Sequence, residues 1–137
     1  MHILLVEDND TLTRLFEAQL RTLGKHTLTI AFSKAQAMAA FQDETFDLAF
    51  IDMGLDGDQA MGLKILAEMK ALKPDQRVGI LSSNDLRDMV WRSQEGGAEF
   101  YMVKPFVAEG LALVLAGDKE AIQNHNPEVG EGRIIVL

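Results

Sequence analysis

The chain has 137 residues, no cysteine, and 21 acidic against 13 basic side chains, which gives a formal net charge of −8. The length fits one domain, and the absence of cysteine excludes disulfide bonds, thiol catalysis and cysteine-based zinc sites. The acidic balance disfavours direct binding to nucleic acid or to an anionic membrane, because both need clustered Lys and Arg. The first residues lack a basic region, and no apolar run has the length of a membrane span, so a cytoplasmic location is expected.

Five short apolar runs alternate with five segments of helical periodicity. The runs are mostly unbroken, which is typical of strands that are covered on both faces of a parallel sheet. These predicted strands are Ile3–Val6, Thr27–Ala31, Phe46–Ile51, Val78–Leu81 and Phe100–Val103. The alternation predicts an α/β fold with a doubly wound, five-stranded parallel sheet and five helices.

Capping residues and breakers give the bounds of the helices. Asp10 and Ser33 are the predicted N-caps of the first two helices. The other three are predicted over Gln59–Leu72, from Asp85 to the Gly96-Gly97 pair, and from Phe106 to Ala116 behind Pro105.

The pattern changes after Gly117. Residues 1–117 are therefore predicted to form the domain, and residues 118–137 a C-terminal extension. The extension has turn composition around Pro127 and ends in Ile134–Leu137, a run of strong strand propensity. This end is predicted to dock on the fifth-helix region or on a second copy, for example as an added edge strand. The alternative is that it continues into a linker.

Polar side chains follow four of the predicted strands. Glu7 and Asp8 follow the first, Asp52 the third, Ser82 the fourth and Lys104 the fifth. In doubly wound sheets, ligands bind outside these carboxyl ends. Crowded carboxylates persist if they share protons or bind a cation, and Mg²⁺ prefers oxygen ligands and phosphoryl groups. With a hydroxyl and an ammonium nearby, the set suits phosphoryl transfer to a carboxylate.

These residues resemble the receiver domains of bacterial two-component response regulators, in particular the single-domain, chemotaxis-regulator-like members. The segment Gly97–Phe106 is similar to the family's Gly-Ala…Tyr…Lys-Pro-Phe signature. The resemblance covers roughly residues 1–116 and implies the flavodoxin-like receiver fold.

The resemblance also implies an acceptor and a metal site. Asp52 would be the phosphoacceptor, taking a phosphoryl group from a histidine kinase or a phosphotransfer protein. Asp8, Asp52 and the backbone carbonyl of Gly54 would bind Mg²⁺, with Glu7 contributing directly or through water.

A switch is implied as well. Lys104 would pair with the phosphoryl group, Ser82 would move to hydrogen-bond it, and Tyr101 would be the switch aromatic that turns inward. The surface of the fourth helix, fifth strand and fifth helix would then change for binding a protein target or a second copy. The all-apolar run Leu111–Ala116 in the fifth helix predicts a partner surface there. Such a domain is not an enzyme beyond its own phosphorylation and dephosphorylation.

Two positions depart from the family pattern. Asp56 stands where the family often has proline, and Gly54 and Gly57 flank it, which predicts a more mobile loop with an extra negative charge. Ser83 stands where the family prefers Ala or Gly, which predicts restricted access to the site. Both departures bear on the lifetime of the phosphorylated form.

Two other classes of function fit the sequence less well. A receiver-like interaction module that works without phosphorylation has little reason to keep the complete set of acids, hydroxyl and lysine. A nucleotide-binding α/β enzyme would need a Gly-x-Gly-x-x-Gly or Gly-Lys-Ser/Thr loop, and the sequence has neither.

Overall fold

The computed structural model of the chain describes residues 1–83, 87–104 and 108–117, together with the backbone of residues 135–136. Within these residues the first five strands and five helices alternate in the predicted order. The strands are β1 His2–Val6, β2 Thr27–Ala31, β3 Leu48–Asp52, β4 Val78–Ser82 and β5 Phe100–Val103. The helices are α1 Asp10–Thr22, α2 Lys34–Asp43, α3 Met61–Leu72, α4 Arg87–Glu95 and α5 Ala108–Ala116.

The sheet is parallel, with the strand order β2-β1-β3-β4-β5. This confirms the predicted doubly wound fold. β3 and β4 are buried along their whole length, whereas the edge strand β2 is half-buried over most of its length. The unbroken apolar runs therefore mark the strands that are covered on both faces.

The hydrophobic core lies on both faces of the sheet. On one face, Phe41 of α2 and Ile65 of α3 pack with Val6 and Ile51, with half-buried residues of α4 beside them. On the other face, helices α1 and α5 cover the strands. The buried helical residues on that side are Phe16, Leu20, Leu111 and Val114.

Two helix starts differ from the sequence prediction. Asn9, not Asp10, is the N-cap of α1, because its side-chain oxygen accepts a hydrogen bond from the backbone N–H of Leu12 at 3.0 Å. Ser33 caps α2 as predicted. Helix α3 begins at Met61, two residues late, because a turn precedes it. The predicted features at Asp85, Pro105 and Phe106 lie outside the described residues.

The fifth helix is less exposed than its composition predicts. Leu111 and Val114 are buried, while Leu113 and Leu115 are half-buried against the core beneath α5. The apolar run thus contributes to the core of the domain, and a partner surface at α5 stays a prediction.

The end of the chain forms a short sixth strand, β6 Ile135–Val136, which pairs in parallel with β5. This end was predicted to dock, for example as an added edge strand, and in the structure it forms an edge strand on the chain's own sheet. The remaining residues of the predicted extension lie outside the described ranges. Among the helices that the structure describes, none is long and apolar enough to cross a membrane.

Gly62 allows α3 to lie directly on the end of β3. Its N–H donates to the carbonyl of Met53 at 2.8 Å. A Cβ at this position would lie 2.7 Å from the carbonyl oxygen of Asp52 and 2.7 Å from the Cα of Met53. Since both neighbours are backbone atoms, neither can move without shifting the strand end.

We therefore expect Gly62→Ala to lower the free energy of unfolding by about 1–3 kcal/mol, the usual cost of overpacking. Urea unfolding measures this change. Gly54→Ala is the matched control, because its added Cβ would meet its nearest neighbour at 3.8 Å, an ordinary contact. Equal stability of the two variants would contradict the close approach of α3 to β3.

Candidate functional site

The ammonium group of Lys104 connects two acidic side chains at the carboxyl edge of the sheet. Its Nζ donates to Oε1 of Glu7 and to Oδ1 of Asp52, each at 3.0 Å. Glu7 directly follows β1, Asp52 ends β3 and Lys104 directly follows β5. Glu7 and Asp52 are only 2% and 8% exposed. The structure thus brings together three of the residues that the sequence singled out.

Asp8 completes an acidic cluster with Glu7 and Asp52. Each of the three can offer a carboxylate oxygen, and these oxygens lie within 4.8 Å of one another. Asp8 is exposed, while the other two are buried. Because Asn9 is the cap of α1, Asp8 does not serve that purpose. The cluster therefore has a solvent-facing side and a buried side, as a cation entering from solvent requires.

The carboxyl group of Glu7 is short of hydrogen-bond donors. Its Oε2 is buried, and none of the described residues bonds to it. The pKa of Glu7 is raised to about 8, mainly by burial and further by the neighbouring Asp52, although Lys104 opposes the rise. Glu7 thus loses its proton less readily than an ordinary glutamate. An orphaned oxygen in a crowded acidic site also fits a hard divalent cation.

Opposing effects act on the pKa of Lys104. Burial acts to lower its pKa, but the hydrogen bond with Glu7 and the negative charge of Asp52 together raise the pKa above its ordinary value. Lys104 is therefore a permanent cation at this edge of the sheet. It is placed to attract an anionic group that approaches Asp52.

Ser82 and Tyr101 lie on the two neighbouring strands. Ser82 ends β4 and is buried, and its carbonyl accepts a hydrogen bond from the N–H of Lys104 at 2.7 Å. Tyr101 pairs with Ile80 in the register of β4 and β5, and its ring is fully buried in the core. In this structure the aromatic side chain already occupies the inward position.

The loop after β3 carries Gly54. Gly54 and Asp8 line the same cavity of about 230 Å³, together with Leu55, Gly57, Asp58 and Gln59. The greater mobility predicted for this loop stays a prediction, although backbone hydrogen bonds connect residues within it. The N–H of Leu55 donates to the carbonyl of Asp58 at 3.1 Å, and the reverse bond is 2.8 Å long. The Leu55 side chain is buried as well.

Asp58 was missed by the sequence analysis. Its carboxylate accepts hydrogen bonds from Lys64 Nζ at 2.5 Å and from the N–H of Ala60 at 2.9 Å. The bond from Lys64 comes first among the causes that hold the pKa of Asp58 below its ordinary value. The Asp56-Gly57 pair in the sequence is a strong turn former, so it predicts that Asp58 lies in a turn before the start of α3.

The sequence of this chain is similar to those of known proteins. The model of the response regulator receiver domain family matches residues 3–116. The chain is 36% identical over 121 residues to AlgB, the alginate biosynthesis transcriptional regulatory protein of Pseudomonas aeruginosa. That alignment covers 88% of this chain but 26% of AlgB, so the chain spans about a quarter of that relative's length.

Two further relatives are similar over most of their length. The chemotaxis protein CheY of Pseudomonas aeruginosa is 28% identical over 116 residues, which cover 81% of this chain and 90% of CheY. The crystal structure of the receiver domain of NtrX from Brucella abortus superposes with a TM-score of 0.76 and 31% identity. It covers 84% of this chain and 95% of the NtrX domain.

The raised pKa of Glu7 predicts a pH-dependent stability of the metal-free protein. In the folded state this pKa is about 8 instead of 4.5, so the folded state holds a proton that the unfolded state has lost. The contribution of Glu7 is therefore fully present below about pH 4.5 and is lost as the pH rises through about 8.

Glu7→Gln keeps the shape of the side chain but cannot ionise. We expect the variant to lose part of the decrease in unfolding free energy between about pH 5 and about pH 8, measured by urea unfolding in EDTA. Glu109→Gln, at an exposed position in α5, should keep the wild-type slope. Identical slopes for wild type and Glu7→Gln would contradict the assignment.

Proposed function

We propose that this chain, which belongs to the response regulator receiver domain family, is a phosphorylation-dependent signalling switch with Asp52 as the phosphoacceptor. The observation that carries the proposal is the position of the Lys104 ammonium, 3.0 Å from Asp52 Oδ1 and 3.0 Å from Glu7 Oε1. The phosphoryl donor would be a histidine kinase or a phosphotransfer protein of a two-component system.

Asp52 supplies the nucleophile in this proposal. One of its carboxylate oxygens forms a bond to phosphorus while the bond from phosphorus to the donor's nitrogen or oxygen breaks. The product is an aspartyl phosphate, and the donor leaves with the electron pair of the broken bond. Lys104 supports the step, because its fixed positive charge lies where the phosphoryl group arrives.

Mg²⁺ is the proposed cofactor. Asp8, Asp52 and the backbone carbonyl of Gly54 would hold it, with Glu7 bound directly or through water. The ion, when bound, would offset the negative charges of the phosphoryl group and the carboxylates. Hard oxygen donors, the orphaned Oε2 of Glu7, and the cavity shared by Asp8 and Gly54 support this assignment.

The output of the proposed switch is the surface of α4, β5 and α5. Ser82 would hydrogen-bond the phosphoryl group from the end of β4. The resulting movement would then reach α4 through the packing of the buried Tyr101 ring. Trp91 of α4 is 59% exposed and gives the surface an aromatic contact residue. The partner would be a protein target or a second copy, and direct binding of nucleic acid by this chain is not proposed.

Asp52→Asn tests the acceptor. The amide keeps the shape of the side chain and lacks the nucleophilic oxygen, so the variant should fold and accept no phosphate. The wild type, incubated with Mg²⁺ and a small acyl phosphate, should gain one acid-stable, base-labile phosphoryl group, detected by intact mass. Asp75→Asn, at an exposed position before β4, should be labelled like the wild type. Equal labelling of Asp52→Asn and wild type would refute the acceptor.

A second prediction concerns the metal. Asp8→Asn should weaken Mg²⁺ binding by about tenfold or more, because a charged ligand is lost. It should also raise the free energy of unfolding in EDTA by up to about 1 kcal/mol, because repulsion within the acidic cluster is reduced. Titration calorimetry measures the affinity. Asp10→Asn, an exposed acid of α1, is the control, and unchanged affinity in Asp8→Asn would place the metal elsewhere.

A further inference from the structure

Asp56 has an unusual backbone conformation within the loop after β3. Its φ is 54°, and among the described residues it is the one non-glycine with a positive φ. Gly57, which follows, has φ of 76°. Two left-handed residues between the mutually hydrogen-bonded Leu55 and Asp58 are typical of a type I′ turn, in which Asp-Gly is a preferred pair.

The turn presents the Asp56 carboxylate to another element of the fold. Asp56 Oδ2 accepts a hydrogen bond of 3.1 Å from the N–H of Lys34, the first residue of α2. The first N–H groups of a helix have no partner within the helix, and the positive end of the helix dipole favours a carboxylate. Ser33 satisfies the N–H of Gln36, and Asp56 satisfies that of Lys34.

This contact fixes one side of the loop that carries Gly54. The other side is fixed by the end of β3, because Met53 bonds through its N–H to Leu81 and through its carbonyl to Gly62, each at 2.8 Å. Gly54 lies between Met53 and the turn. Its carbonyl therefore lies in a segment whose two ends are held by separate parts of the fold.

The side chain of Lys34 extends the same connection. Its Nζ pairs with Glu68 Oε2 of α3 at 2.9 Å. The start of α2 is thus tied to the loop through its backbone and to α3 through its side chain. The carboxylate of Asp56 therefore binds to a helix start that is itself held by α3.

We infer that Asp56 is a positioning residue that clamps the loop after β3 to the N-terminus of α2 and so places the carbonyl of Gly54 for Mg²⁺. The inference rests on the proposed function, in which that ion accompanies phosphorylation of Asp52. In this inference, the hydrogen bond of Asp56 makes the loop rigid, as a proline at this position would.

Two substitutions distinguish the effect of the Asp56 hydrogen bond from the effect of its negative charge. Asp56→Gly removes the acceptor and tolerates the left-handed backbone well, whereas Asp56→Asn removes the charge, also tolerates this backbone, and keeps an acceptor oxygen. Since both variants lose one negative charge, a purely electrostatic effect on Mg²⁺ would be the same in both.

Mg²⁺ affinity of the full chain, measured by titration calorimetry, is the first readout. We expect Asp56→Gly to bind Mg²⁺ about two- to tenfold more weakly than wild type, the effect of losing one hydrogen bond, and Asp56→Asn to stay within about twofold. Hydrogen exchange in EDTA is the second readout. The amide of Lys34 should exchange faster in Asp56→Gly than in wild type or Asp56→Asn.

Several outcomes would overturn the inference. They are unchanged Mg²⁺ affinity in Asp56→Gly, an equal loss in both variants, or a wild type that binds no Mg²⁺. A variant that is less stable but binds Mg²⁺ like the wild type would show a structural role alone. Labelling of the wild type with a small acyl phosphate keeps the two proposals apart. An unlabelled wild type whose Mg²⁺ affinity still depends on Asp56 would refute the switch and leave the clamp.

Discussion

The site depends on the cation of Lys104 between two buried carboxylates. Glu7 and Asp52 are 97 and 52 residues away from Lys104 in the chain, so their contact exists only when the parallel sheet is complete. Burial of charged groups is costly, and one ammonium does not balance three acids. The cluster therefore makes Glu7 harder to ionise, and a further positive charge would relieve the crowding. The same imbalance that weakens the metal-free domain would favour the proposed Mg²⁺.

Much of the fold and most of the candidate site could be predicted from local sequence. The strands were recognisable because buried parallel strands are short, unbroken apolar runs, and the carboxyl ends of such strands meet at one edge of the sheet. Errors arose where two neighbouring residues could serve the same purpose. Asn9 and Asp10 are both good caps, and only the backbone conformation decides that Asn9 accepts the bond from Leu12.

Contacts between distant elements could not be predicted in this way. The bond from Lys34 to Asp56 joins residues 22 apart in the chain, and nothing in either local segment indicates the other. From the sequence, the missing proline suggested a looser loop. In the structure, hydrogen bonds and a left-handed turn hold this loop instead. Likewise, the apolar character of α5 could not by itself distinguish a partner surface from a helix whose leucines pack half-buried on the domain core.

The burial of Tyr101 has a consequence for the populations of the switch. The ring is fully buried in the core cluster that also contains Ile80 and Leu66, with Val90 packed against this cluster. Turning it to the surface would leave a void like the one created when a large aromatic is truncated, which costs about 3–5 kcal/mol. An outward ring would then be populated in about 1% of molecules or fewer. Under the proposed function, the aromatic ring would therefore lie inward before any phosphoryl group arrived, and the free energy of phosphorylation would be available for moving other parts of the surface.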